Sequence, residues 1–463
     1  MRSSLALCVL LLALPLGVKA DGPQKNTELV VRMMVQPRPA PKPALKYQLL
    51  PELREMNPGN PIHEYMRCFP EQYNFWRGKE SVAKREKWLA MPLRDLPVKE
   101  IQQFGYLSRR GLLRYADSAA RLDRPDWQIL LQLKGEGINL LLPDVQQLRE
   151  LAVALKVRFR AEIVERRFDD ANYTAKTMLA LSRHFIEHPT LIGNLVGIAI
   201  ATLALGTVDE MIEQPGSPNL FWALTDLPSP FIDIRKGMQG ERMWIDAELP
   251  GLDDQEPMSD SQLRKVVDRL QNVVNSANGP DAPQISVRTW LEGQANNEER
   301  VRAARKRLVE ALTPADPTKF ESFPPTQIIL LDEKLAFEVR RDEMTKSLAL
   351  PYWQARALFE SIPPLPKDKE TPLTLLIASY NKVKTAQARL DQRIALLRCV
   401  EALRMYAAEH NGKLPAKLDD IRLPLPVDPA TGKPFTYKVD GKTAHLHGEP
   451  LGMQVRYEVT IGK

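Results

Sequence analysis

The sequence is poor in the residues that most often carry redox and metal chemistry, with three cysteines and six histidines in 463 residues. It also contains no C-x-x-C pair, no G-x-x-x-x-G-K-[ST] loop, no G-x-S-x-G and no G-x-G-x-x-G. These absences argue against a dithiol oxidoreductase, a P-loop nucleotide hydrolase, an α/β-hydrolase and a dinucleotide-binding enzyme. Asp and Glu are plentiful, so a hydrolase that uses a pair of carboxylates stays open.

An excess of one charge is also lacking. The chain has 64 Lys and Arg against 58 Asp and Glu, a formal charge of +6, and the two signs alternate along the sequence. A nucleic-acid surface needs a concentrated basic patch, so no nucleic-acid partner is predicted. The hydrophobic content of 44% is enough to fill a core, and the length suggests two or three domains.

A short apolar run opens the chain. Arg2 precedes the run from Leu5 to Leu16, and Val18-Lys19-Ala20 has the pattern of a cleavage site. Residues 1–20 are therefore predicted to be a secretory signal peptide, because the run is too short to span a bilayer. We expect a periplasmic or secreted protein with no transmembrane anchor after cleavage. Losing Arg2 and Lys19 lowers the formal charge from +6 to +4.

Residues 21–61 are predicted to form a Pro-rich extended arm. Every second residue from Pro37 to Pro43 is proline, which excludes a helix there. The preceding segment TELVVRMMVQ is rich in β-branched and apolar residues, which predicts one edge strand.

Helical periodicity begins near Glu80, and residues 62–250 are predicted to be helical lobe 1. PDVQQLRELAVALKVRFRAEIV places apolar residues three and four apart and opens on proline, which indicates an amphipathic helix. A second helix is predicted to begin near Asp169 or Asp170, either of which can cap it. The glycine-containing apolar run from Leu191 to Leu205 is shorter than a membrane span, so it predicts a central core helix.

Residues 251–365 are predicted to be helical lobe 2, entered through a boundary segment rich in Asp, Pro, Ser and Asn. Helices are expected in SDSQLRKVVDRLQNVVNS, in 284–312, in 325–347 and in 351–360. The successive helices of lobe 1 resemble tetratricopeptide-like arrays, and RFDDANYTA loosely matches the turn into that motif's second helix, but no second copy occurs at a 34-residue period. The predicted fold class is therefore mainly α, an irregular α–α bundle in two lobes.

Residues 366–463 are predicted to be a long helix followed by a small antiparallel β-sheet. No proline or glycine interrupts the pattern after Pro372 until His410, and Gln387 occupies one position of an otherwise apolar seam. Packing of this seam against another helix of the same chain is favoured over a partner. Asn411-Gly412 ends the helix, Asp440-Gly441 predicts a hairpin between PFTYKV and TAHLH, and QVRYEVTI could add a third strand.

Two resemblances follow from these segments. ALRMYAAEHNGKLPAKLDDI and LPVDPATGKPFTYK look like the C-terminal helix-plus-sheet part of bacterial pseudopilins, but the prepilin signature is missing. The resemblance therefore implies the unit and not fibre assembly. KYQLLPELREMNPGNP and PTLIGNLVGIAIATLALG resemble secreted proteins of planctomycete-type bacteria, which implies a bacterial exported protein and no particular chemistry.

The segment His184-Phe185-Ile186-Glu187-His188 fits H-x-x-E-H, the signature of inverted zinc peptidases. Histidines four residues apart share one face of a helix and can bind zinc, and a glutamate between them can activate water. Against this stand Pro189, which ends the helix at the second histidine, and the lack of a clear third ligand downstream. A histidine at a helix C-terminus is also favourable for electrostatic reasons alone.

Other side chains give weaker signals. Cys68 and Cys399 could form a bridge in an oxidising compartment or remain separate buried thiols. His445 and His447 alternate on one strand face and could be a metal pair without an evident third ligand. Asn172-Tyr173-Thr174 is a glycosylation sequon inside a predicted helix. Clustered aromatic residues favour a helix–helix contact over a binding groove: Tyr65, Phe69, Tyr73, Phe75 and Trp76.

No catalytic, cofactor-binding or metal-binding residue is assigned from these patterns. The sequence favours a non-catalytic binding or scaffold protein of the cell envelope, with a protein partner there. The alternative is a zinc-dependent peptidase that uses residues 184–188.

Overall fold

The computed structural model describes residues 27–70, 72–108, 111–137, 140–249, 251–252, 254–277, 286–363, 371–374 and 380–462. The signal peptide predicted at 1–20 lies outside the described residues, as do the start of the predicted arm and positions 364–370, where lobe 2 was predicted to meet the C-terminal unit. The fold class is confirmed, because the described chain is mainly α-helical and has one small sheet.

The described residues contain seventeen α-helices and four strands. The helices are α1 Pro61–Met66, α2 Tyr73–Arg77, α3 Lys79–Ala90, α4 Val98–Gln103, α5 Arg114–Ala119, α6 Leu130–Glu136, α7 Pro143–Val164, α8 Phe168–His184, α9 Leu191–Ile212, α10 Phe221–Thr225, α11 Arg235–Glu248, α12 Asp260–Ala277, α13 Val287–Ala295, α14 Glu298–Leu312, α15 Pro325–Thr345, α16 Tyr352–Ser361 and α17 Tyr380–Glu409. The strands are β1 Thr27–Val35, β2 Thr436–Asp440, β3 Thr443–His447 and β4 Met453–Ile461.

Helices α7, α8 and α9 pack against one another at the centre of the larger core. Helix α9 starts at a cap in which the Thr190 hydroxyl accepts from the Gly193 N–H, and it continues beyond the apolar run to Ile212. By length and composition it could cross a membrane, but 72% of its most apolar stretch is buried in the fold. A Cβ on Gly193 would overlap the His188 ring, so close packing requires glycine there.

The sheet has the order β1-β4-β3-β2 and is mixed, which corrects the predicted antiparallel sheet. The N-terminal strand β1 lies parallel to β4, from Thr27 opposite Met453 to Val35 opposite Ile461. The strands β2, β3 and β4 are antiparallel, as predicted. The extra strand covers what would otherwise be a long exposed edge of β4.

Two large hydrophobic cores and one small cluster, formed by Ala388, Ala430 and Leu451, are present in the described chain. The smaller core is formed by buried residues from Leu249 to Leu373, mostly on α12 to α15. The larger one joins β1, most of the helices up to α11, α16, α17 and the sheet. The C-terminal helix and sheet, predicted as a unit of their own, therefore share the larger core with helical lobe 1.

Helix α17 packs against α9, α10, α15, α16 and β4, so its apolar seam is covered within the chain, as favoured from the sequence. Its described residues begin at Tyr380, whereas Pro372 to Thr374 form a turn outside the helix.

The single helix expected in 284–312 is instead α13 and α14, because the Asn297 side chain accepts from the Arg300 N–H and starts a new helix.

Charged side chains also tie α17 to the rest of the larger core. Arg393 donates to Asp209 on α9 at 2.6 Å, and the Tyr457 hydroxyl on β4 donates to the same carboxylate at 3.1 Å. Further along the helix, Arg404 pairs with Glu401 at 2.9 Å, and both side chains are almost completely buried. These contacts fix the position of α17, which lines a cleft between Lys384 and Arg398.

Candidate functional site

A cleft of about 600 Å³ opens along one face of α17. Three loop segments close around this face, at 227–235, 348–353 and 426–429. Charged, amide and aromatic side chains from several elements line the cleft: Lys384, Gln387, Asp391 and Arg398 on α17, Asp233 on the first loop, Arg235 at the start of α11 and Trp353 on α16.

The polar floor of the cleft is a row on α17, with Lys384, Gln387 and Asp391 three and four residues apart. This spacing places all three on one face of a helix. Gln387 is buried, and its Nε2 donates to the carbonyl oxygen of Ile232 at 2.6 Å. The row therefore both lines the cleft and holds the first loop against the helix.

Lys384 is 5% exposed. Its Nζ donates to the carbonyl oxygen of Leu348 and to Oε1 of Gln387, each at 2.8 Å. No carboxylate lies within ion-pairing distance of this amine in the part of the chain that the structure describes. Burial lowers the pKa of Lys384, and the more distant charges of Asp391 and Asp233 offset this only in part.

Asp391 is half-buried, and its Oδ1 accepts the backbone N–H of Phe231 at 2.8 Å. Burial raises the pKa of this carboxyl to about 7, against the lowering effects of the Phe231 N–H and of Lys384. Asp233, which also lines the cleft, has a lowered pKa. Burial acts to raise its pKa, but hydrogen bonds from the Arg235 side chain and backbone outweigh burial and hold it below the usual value.

The rest of the cleft is apolar and stiff. Leu224, Ile394 and Ala395 form buried parts of its wall. The mouth exposes large side chains, with Trp353 at 45% and Val427 at 51%. Five prolines also line it, and proline leaves the backbone little freedom: Pro228, Pro230, Pro351, Pro426 and Pro429. Such a lining suits a ligand with an apolar body and one or two polar groups.

Comparison of the chain with models of protein families, with curated proteins and with solved structures finds no match. The cleft must therefore be interpreted from its own chemistry. Its cations, Lys384, Arg235 and Arg398, outnumber its carboxylates, Asp233 and Asp391. Two of its titratable groups have pKa values shifted towards neutrality, and such groups concentrate at functional sites.

Sequence reasoning singled out Gln387 as a polar residue in the seam but missed Lys384 and Asp391. The available signal was the spacing, since all three fall on one face of the helix. The loops that turn this face into a cleft come from distant parts of the chain. No local pattern connects them to α17.

The H-x-x-E-H motif is divided by the local fold. Helix α8 ends at His184, and Phe185–Glu187 form a 3₁₀ turn. His184 Nδ1 is 3.1 Å from the Tyr65 hydroxyl, whereas His188 Nδ1 is 2.9 Å from the Thr190 hydroxyl. Glu187 points elsewhere and pairs with Lys236 at 2.6 Å.

The two histidines of the motif are uncharged because they are buried. Burial lowers the pKa of both His184 and His188 to about 3, so both rings are neutral at physiological pH. Among the described residues, no three His, Cys, Asp or Glu side chains form a group that could hold a metal ion. The motif residues are therefore not brought together as ligands, and the histidines serve helix packing.

We expect His184→Ala to lower the melting temperature without changing the zinc content of the purified protein. The substitution leaves the buried Tyr65 hydroxyl without its partner, which costs about 1–3 kcal/mol. Thermal melts, together with metal analysis after dialysis against zinc, check this, with Lys382→Ala as a surface control. One zinc per chain in the native protein, lost in His184→Ala, would instead support the peptidase.

The remaining candidates from the sequence resolve as structural. Cys68 and Cys399 are separate buried thiols, and burial raises the pKa of each to about 12. Asn172 is buried and donates to the carbonyl oxygen of Gln48 at 3.0 Å, so the folded sequon has no room for a glycan.

Four of the five clustered aromatic residues pack inside the helical layer. The rings of Phe69 and Phe75 both lie within 5 Å of the buried Trp76 ring, while Tyr65 contacts His184. Tyr73, by contrast, is 73% exposed. The cluster is therefore a helix–helix contact and not a groove, as the sequence favoured.

The strand histidines contact different groups. His445 lies 3.8 Å from Glu458, which also pairs with Arg32. His447 Nδ1 is 3.1 Å from the Gln454 amide. Each histidine therefore belongs to the surface network of the sheet.

Proposed function

We propose that this chain is an exported, non-catalytic binding protein of the cell envelope and that the cleft on α17 is its ligand site. The observation that carries the proposal is the buried Lys384 amine, which faces the cleft without a carboxylate partner among the described residues. Burying an amine without a counter-ion is costly, and titratable groups perturbed by burial concentrate at functional sites.

The shape of the site defines the class of ligand. A cleft of about 600 Å³ is the size of a small-molecule site. The apolar wall and the Trp353 ring would take an apolar or aromatic body, and Lys384 with Asp391 would take a polar group at one end. Export and the envelope location rest on the sequence at 1–20, and the protein partner expected there would dock elsewhere on the surface.

Filling the cleft is expected to weaken ligand binding at least tenfold, about 1.4 kcal/mol. Ala395 lines the wall, so a phenyl ring at this position would occupy the space proposed for the ligand. The probe is 8-anilinonaphthalene-1-sulfonate, which has an aromatic body and one anionic group. Its fluorescence is titrated against the native protein, Ala395→Phe and the control Ala336→Phe, whose alanine is exposed on α15.

Saturable binding of one probe per chain, lost in Ala395→Phe and kept in the control, would support the cleft as the site. Equal binding to the native protein and to Ala395→Phe would overturn it. Circular dichroism melts of the three proteins check that the variants are folded at the titration temperature.

A further inference from the structure

The amine of Lys384 has a specific arrangement of hydrogen bonds. Two acceptors, the carbonyl oxygen of Leu348 and Oε1 of Gln387, lie 2.8 Å from Nζ, and both are held by the fold. A neutral amine donates two N–H groups and keeps one lone pair, whereas an ammonium has three donors. In the described chain, the two acceptors therefore satisfy a neutral amine completely and leave its lone pair as the remaining valence.

We propose that Lys384 captures an aldehyde or ketone ligand of the cleft as an imine, with Asp391 moving the protons. This inference rests on the proposed function, since the ligand must first occupy the cleft. It narrows the ligand class to a carbonyl compound with an apolar or aromatic body.

The chemistry needs no reagent beyond the ligand. The Nζ lone pair attacks the carbonyl carbon, a C–N bond forms, and the electron pair of the C=O π bond moves to oxygen. The amine nitrogen gives up a proton and the oxygen receives one, which leaves a carbinolamine. Protonation of its hydroxyl by the Asp391 carboxyl expels water, and loss of the last proton on nitrogen to the Asp391 carboxylate gives the imine. The sum is one amine and one carbonyl converted to one imine and one water.

Asp391 is suited to both proton steps. It follows Lys384 by two helical turns on the same face of α17, both residues line the cleft, and Gln387, which lies between them, accepts from Nζ. The bond from the Phe231 N–H fixes Oδ1, so the orientation of the carboxyl group is set. With a pKa raised by burial to about 7, both its acid and its base forms are present near neutral pH.

The test is reductive trapping on the full chain at pH 7. The protein is treated with 3-phenylpropanal and sodium cyanoborohydride, and the modified lysines are located and timed by peptide mass spectrometry. We expect Lys384 to be modified at least tenfold faster than Lys382, an exposed lysine on the same helix. Asp391→Asn should slow modification of Lys384 at least tenfold and leave Lys382 unchanged.

A matched alcohol separates this inference from the proposed function. 3-Phenylpropan-1-ol cannot form an imine but has the same body, so it should displace the fluorescent probe and protect Lys384 from the aldehyde. Displacement by the alcohol together with equal labelling of Lys384 and Lys382 would overturn imine capture and leave the binding site standing. If the alcohol does not displace the probe and Lys384 is labelled no faster than Lys382, both proposals fail. Protection by the alcohol is measured on the native protein, so the result does not depend on whether a Lys384 variant folds.

Discussion

Replacing Arg404 by methionine is expected to lower the free energy of unfolding by about 3–5 kcal/mol, because it leaves a buried carboxylate without its cation. Arg404 and Glu401 are 1% and 0% exposed, and two bonds of 2.9 and 3.0 Å join them. The same guanidinium donates to the carbonyl oxygens of Gln36, Ser217 and Pro218. It therefore joins the segment after β1, the loop after α9, and α17.

Urea unfolding of the native protein and of Arg404→Met measures the loss. The matched control is Arg356→Met, which removes an exposed pair with Glu360 on α16 and should cost less than about 1 kcal/mol. The double variant Glu401→Gln/Arg404→Met should be more stable than Arg404→Met, since no charge is left buried. A loss in Arg404→Met no larger than in Arg356→Met would contradict a structural role for this pair.

The burial of this pair was not visible in the sequence. Glu401 and Arg404 are three residues apart, a spacing that is common for ion pairs on helix surfaces. They are buried only because the segment after β1 and the loop after α9 cover this part of α17. The helices and the hairpin were predictable because their signals are local, such as Pro143 at the start of α7 and Gly441 in the turn. The break at Asn297 was missed because a cap inside a periodic stretch competes with continued helix.

Long-range pairing could not be predicted for a different reason. The composition of β1 predicted a strand, but nothing in its residues specifies that it lies parallel to β4 from the far end of the chain. The cleft has the same origin, since its three loops meet α17 by tertiary packing alone. What the sequence does contain is the polar row of Lys384, Gln387 and Asp391. An amphipathic pattern cannot tell whether such a row faces another helix or a cavity.

Asp391→Asn is expected to stabilise the protein above neutral pH, by an amount on the order of 2 kcal/mol. The carboxyl has a pKa of about 7 in the fold, because burial disfavours its charged form, against an ordinary value of 3.8. A folded pKa above the unfolded one means that the native state binds more protons than the unfolded state between these values. Its contribution to stability is therefore complete below about pH 4 and is lost as the pH rises through 7. The expected stabilisation is smaller than the full difference between the two pKa values would give, because the side chain is half-buried and opens to solvent in the cleft.

Thermal melts between pH 4 and pH 9 measure this effect. The melting temperature of Asp391→Asn should match that of the native protein near pH 4 and exceed it increasingly up to about pH 8. The amide oxygen of the substituted side chain would still accept the Phe231 N–H, so the first loop stays attached to α17. Asp233→Asn is the matched control on the same cleft. Its carboxyl has a lowered pKa through Arg235, so this substitution should destabilise the protein wherever Asp233 is ionised.

The opposite changes in stability expected from these two substitutions bear on why position 391 is an aspartate. A carboxylate that lowers stability at the pH where it is ionised has no structural reason to be aspartate, because asparagine would hold the same loop without the burial cost. Asp233, which is stabilised by Arg235, needs no such explanation. If Asp391→Asn is as stable as or less stable than the native protein at pH 8, the carboxyl carries no burial penalty. The case for Asp391 as a residue kept for its proton chemistry would then be lost.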